Sequence, residues 1–111
     1  MATYIILSSF TDQGIRGVKD TTNRADAVKE TAKRMGVSVK EIYWTLGTYD
    51  VVALFEANDD SAITALALAL GAQGNVRTQV LRAFNKDEMS RILGKLGGNA
   101  KAAPKKAPAG T

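Results

Sequence analysis

The residues best suited to chemistry in this 111-residue chain are Tyr49 and Asp50, which follow Gly47 in the run Trp44-Thr45-Leu46-Gly47-Thr48-Tyr49-Asp50. A carboxylate here can act as a general base or a hydrogen-bond acceptor, and a neighbouring phenol can donate to an oxyanion. Turn chemistry competes with that account. Gly47 would supply a positive φ, and Asp50 would bond nearby backbone amides. A turn does not require the aromatic ring of Tyr49. Tyr43 and Trp44 offer faces on which a planar ligand can stack, although large aromatics on strands are mostly core residues. Arg77 and Arg82 can clamp an anion. An Arg set in an apolar sheet more often pairs with a carboxylate, and Asp50 and Glu56 are the candidates. Ser8, Thr45 and Thr78 add hydroxyls to such a pocket.

The absence of two residue types narrows the chemistry. The chain has no His and no Cys, which removes Ser-His-Asp and Cys-His nucleophile machinery, imidazole and thiolate metal ligands, and a proximal haem histidine. Gly71, Gly74 and Asn75 follow a helical segment and match neither a P-loop nor a dinucleotide fingerprint. Asp59-Asp60 and Asp87-Glu88 read as first-turn helix acids, favoured by the helix dipole. No metal and no cofactor is expected.

These side chains need a scaffold, and the hydrophobic pattern supplies one. Residues 3–9 (TYIILSS) read as a strand. Ala25, Val28, Ala32 and Met35 form one stripe of an amphipathic helix that Asn23 or Thr22 can cap and Gly36 stops. Residues 37–46 and 51–56 read as a hairpin joined by a four-residue turn. Asn58–Ser61 caps a helix over 62–70, 76–84 is the last strand, and Asn85–Glu88 opens a final helix with Met89, Ile92, Leu93 and Leu96 along one side. The order β-α-β-β-α-β-α predicts an α+β fold: a ferredoxin-like split βαβ sheet, antiparallel, with helices on one face.

An open sheet with one wet face should alternate apolar and polar residues. These strands carry large apolar side chains on both faces. Tyr4 and Ile6 oppose Ile5 and Leu7; Val51, Ala53 and Phe55 oppose Val52 and Leu54; Val76, Val80 and Phe84 oppose Leu81 and Ala83. In the second strand, Val39 and Tyr43 oppose Ile42, Trp44 and Leu46. Helices in one such chain cover only one face, so a second copy is expected on the other, sheet against sheet. The helix AITALALAL over 62–70 is apolar nearly all round; its alanines either face water harmlessly or meet a further subunit.

The net charge of +4 has a local origin. Lys101, Lys105 and Lys106 lie in the closing stretch GGNAKAAPKKAPAGT with both prolines, leaving the preceding residues with 12 basic and 11 acidic side chains. Residues 97–111 are read as a disordered tail and 1–96 as the single domain. Three tail lysines give at most weak, salt-sensitive contact with nucleic acid. No apolar run suits a membrane span or a secretory signal, so a soluble cytoplasmic protein is expected.

Several blocks, in order, are similar to the GYD-domain family: Phe10-Thr11-Asp12-Gln13-Gly14-Ile15, the Gly-x-Tyr-Asp signature at Gly47, Tyr49 and Asp50, Gly74-Asn75-Val76-Arg77-Thr78, and Leu81-Arg82-Ala83-Phe84. The resemblance covers roughly residues 1–96. It implies a small bacterial or archaeal protein of the dimeric α+β barrel superfamily, in which two ferredoxin-like subunits pack sheet against sheet. That superfamily holds oxygenases, isomerases and non-catalytic oligomers, so fold alone assigns no activity. The leading expectation is a homo-oligomeric structural or small-ligand-binding protein without catalysis. The rival is a cofactor-free isomerase or oxygenase. It would act on a small planar substrate in the dimer cavity, using Asp50, Tyr49 and an arginine.

Overall fold

The computed structural model of the chain describes residues 1–97; apart from Gly97, the expected tail lies outside the described residues. β1 (Ala2–Phe10) leads through a short helix α1 (Asp12–Arg16) and one 3-10 turn (Val18–Asp20) into α2 (Thr21–Arg34). The hairpin β2 (Val37–Trp44) and β3 (Val51–Ala57) follows, then α3 (Asp60–Ala72), β4 (Val76–Ala83) and α4 (Lys86–Gly94). The sheet order is β2-β3-β1-β4, with every neighbouring pair antiparallel. This is the ferredoxin-like arrangement expected, with helices on one side.

Alternation decides which side chains those helices bury. Tyr4, Ile6 and Ser8 of β1 and Ala53, Phe55 and Ala57 of β3 are all buried, and they pack with Ala32 of α2 and Ile63, Leu66 and Leu70 of α3. The opposite parity, Ile5, Leu7, Val52 and Leu54, is only part-buried. In α3, Ile63, Leu66 and Leu70 turn inward while Thr64, Ala65 and Leu68 face out.

The strands and helices end where local chemistry ends them. Gly36 (φ +78°) stops α2, and Asp59 caps α3 by accepting the Ala62 amide at 2.9 Å. Asn85 and Glu88 close a reciprocal capping box on α4. That bond to the Asn85 backbone holds the Glu88 carboxyl below its ordinary range, with Arg82 and Arg91 adding to the effect. α2 differs from expectation. It starts earlier, at Thr21, after Asp20, which makes no side-chain cap bond; Asn23 instead donates to the Asp20 carboxylate at 2.9 Å.

β2 corrects the face assignment. A bulge lies between Val39 and Glu41, at Lys40, so Val39 pairs with Phe55 and Ile42 with Ala53. An extra residue resets the parity of everything after it. Val39, Ile42 and Trp44 therefore all share the helix face, and Glu41 and Tyr43 share the open face. β2 also stops at Trp44, so the hairpin connection spans residues 45–50 and is longer than the four-residue turn expected.

Candidate functional site

Three of the four family-like blocks converge at one end of the sheet, where β1 ends and β3 and β4 begin; the fourth, residues 81–84, lies at the far end of β4, beside the start of β1. Thr11 donates its amide to the Asn75 carbonyl at 3.1 Å and its hydroxyl to the Gly74 carbonyl at 2.5 Å, while that hydroxyl accepts the Gly14 amide at 3.0 Å. The Gln13 amide group donates to the Gln73 carbonyl and to Asn75 Oδ1. Backbones approach so closely that a Cβ on Gly14 would sit 1.9 Å from the Asn75 carbonyl oxygen. Glycine is required there by space. The Gly-x-Tyr-Asp run joins the same end: the Asp50 amide donates to Ser8 O at 2.8 Å, and the Asp50 carboxylate accepts the Phe10 amide at 2.8 Å. Thr45 closes the connection by donating its amide to Asp50 O and its hydroxyl to Tyr49 O. Gly47 takes φ +111°, as turn chemistry expects.

The sheet divides the sequence-derived candidates into two groups. Tyr43, Tyr49 and Arg77 belong to the open face. Tyr43 pairs with Val52 and Arg77 with Ser9. Tyr49 reaches across β1 to donate its hydroxyl to Gln79 Oε1 at 2.8 Å, beside Leu7. Trp44, Thr78 and Arg82 belong to the helix face, where their strand neighbours are Val51, Ser8 and Tyr4. Asp50 lies at the seam, its carboxylate committed to a backbone amide. Neither arginine pairs with Asp50 or Glu56. Arg82 lies 3.7 Å from Glu88 and stacks 4.4 Å from the Phe84 ring centre and 5.5 Å from that of Tyr4, while Glu56 meets Lys40. The Tyr4 hydroxyl donates to the Asp60 carboxylate, which together with burial raises its pKa above the ordinary phenol value.

A cavity of about 90 Å³ lies on the helix face, between the sheet, α2 and the end of α3. Ile6, Ala25, Val28, Ile42, Phe55 and Leu70 are among its apolar walls. Its polar lining is Ser8, Thr21, Arg24, Gln73 and Asn75. Trp44 lines it as well and donates its indole N–H to Thr21 Oγ1 at 3.0 Å. Of the residues singled out in the sequence for a pocket, Trp44 and Ser8 border this space. Sequence reasoning passed over Arg24, although a signal was present: it stands four residues before Val28, on the same side of α2 as the apolar stripe. No cluster of His, Cys, Asp or Glu suited to a metal ion occurs among the described residues.

The chain is similar in sequence and fold to known proteins. A Thermus thermophilus protein named glutamine synthetase and cystathionine beta-lyase binding protein is 36% identical over 85 residues, covering 76% of this chain and 90% of its own. A crystal structure of a protein from the same organism superposes with a TM-score of 0.50 at 28% identity, covering 77% of this chain and 95% of that one. The GYD domain family model matches residues 4–93, a span that includes the contacts between Thr11 and Asn75, the hairpin connection and the cavity lining. The chain belongs to the GYD-domain family.

Proposed function

We propose that this protein is a self-associating binding protein that works by engaging other proteins, with the open face of its sheet joining two copies. One observation carries the reading. Ile5 pairs with Leu54 on one side and Leu81 on the other, and Leu7 pairs with Val52, so five apolar side chains form one patch across β3, β1 and β4. All helices that pack on the sheet lie on the other side. An apolar patch of this continuity is the usual mark of an interface, and a two-fold sheet-on-sheet pairing makes it self-complementary. Residues 1–96 act as the single domain in this reading, and their near-neutral charge opposes no such pairing. The cysteine-free sequence fits a cytoplasmic setting.

The name of the Thermus relative supports protein binding as the task. Glutamine synthetase and cystathionine beta-lyase are accordingly the first partners to test. The enzyme reading places Asp50 as a base. Its carboxylate already accepts the Phe10 amide, which supports a positioning role.

Light scattering on the full chain tests the assembly. A dimer or larger species is expected, and Leu54→Lys, which puts a charge at the centre of the patch, should give a folded monomer. A monomeric parent protein, or a Leu54→Lys variant that assembles unchanged, would overturn the reading. Pull-down of each named enzyme by the parent chain then tests the partner class separately.

A further inference from the structure

The cavity beneath α2 has a composition of its own. Arg24 is the charged residue among those lining it, and its other walls are apolar apart from Ser8, Thr21, Gln73 and Asn75. The Arg24 guanidinium is held in place by two backbone carbonyls. Its two terminal nitrogens donate to Gly17 O at 2.9 Å and Gly14 O at 3.1 Å. Those bonds use two of five N–H donors. Among the described residues no carboxylate comes within ion-pair distance of it. A guanidinium beside apolar walls favours an anion, and carboxylates suit its geometry.

Size limits the anion. A cavity of about 150 Å³ accepts benzene, so one of about 90 Å³ takes an aliphatic body of about four carbons. Trp44 is half-exposed and Arg24 part-exposed, so both stand at the solvent side of the cavity, where a charged head can sit while an apolar body lies against Val28, Ile42 and Phe55. We infer that this cavity is a binding site for a small monocarboxylate with a short, branched aliphatic body, held by Arg24 and covered by Trp44. The site lies across the sheet from the proposed interface and does not depend on it.

Trp44 is the chain's one tryptophan, so its fluorescence reports the site directly. Titration of the full chain with isobutyrate is expected to give a saturable change at millimolar concentration or below. Isobutyramide, of the same shape without the charge, should bind at least tenfold more weakly. Arg24→Gln should weaken isobutyrate by a similar factor while leaving isobutyramide unchanged. Ala25→Leu, which fills the cavity without touching the guanidinium, should abolish both. Absence of saturation by isobutyrate, equal affinity for acid and amide, or full binding by Ala25→Leu would each overturn the site. If Arg24→Gln fails to fold, the acid–amide comparison on the parent chain decides alone.

Discussion

At the scale of single residues, the carboxylate with most chemical promise is engaged in holding the backbone. Asp50 shows how: its carboxylate binds the amide of Phe10, forty positions earlier, and ties the hairpin connection to the end of β1. Asp50→Asn can keep the bond only through a weaker neutral oxygen, and Asp50→Ala leaves a part-buried amide without its acceptor. The alanine variant is expected to lose about 1–3 kcal/mol in chemical denaturation, with the asparagine between it and the parent. If Asp50→Asn left stability untouched and removed a turnover, the carboxylate would be catalytic. The turn role of Gly47 was legible in the sequence, because a glycine between two β-rich runs marks a turn. The partner of Asp50 was not, because a bond across forty residues depends on strand register. The placement of Arg24 was half legible: its spacing to Val28 sets it beside the apolar stripe, but an arginine on a helix surface reads as solvated, and the sheet beneath is what reveals a pocket.

At the scale of elements, periodicity identified every strand and the three longer helices, with ends shifted by a few residues. Caps such as Asp59 and Asn85 were plain in the sequence because capping acts over three residues. The bulge at Lys40 was not. Its evidence is that Val39 and Ile42 both need the core, an odd spacing that regular alternation forbids. Deleting Lys40 would leave Val39 and Ile42 two positions apart, so regular pairing would keep Val37, Val39, Ile42 and Trp44 on the helix face without a bulge. The deletion is therefore expected to keep the core buried and to move the denaturation midpoint little, and a large loss would show that the bulge itself is needed. Replacing Lys40 by Ala keeps the residue count and should also change stability little, so the pair separates the bulge from the charge. The contact that alanine would remove, an exposed ion pair with Glu56 at 3.8 Å, contributes little by itself.

At the scale of the whole molecule, one sheet separates two surfaces of different character: a helix-covered side with a cavity, and an apolar side proposed to meet a second copy. Charge is apportioned as unevenly. The 12 basic and 11 acidic residues before Gly97 balance, and three lysines beyond it supply most of the net +4. Retention on DNA by the full chain is therefore expected to be weak at low salt and absent at physiological salt, and to vanish when residues 98–111 are removed. Retention that survives both the truncation and the salt would place a polyanion site on the domain. The same sheet also has two lateral borders, β2 and β4. The irregularity at Lys40 breaks the flat run of free amides and carbonyls along β2 and sets a charged side chain within it, a device that deters strand addition. β4 runs unbroken from Val76 to Ala83 beside β1. Any fibre or edge-wise polymer of this protein would therefore grow from the β4 border, whatever becomes of its faces.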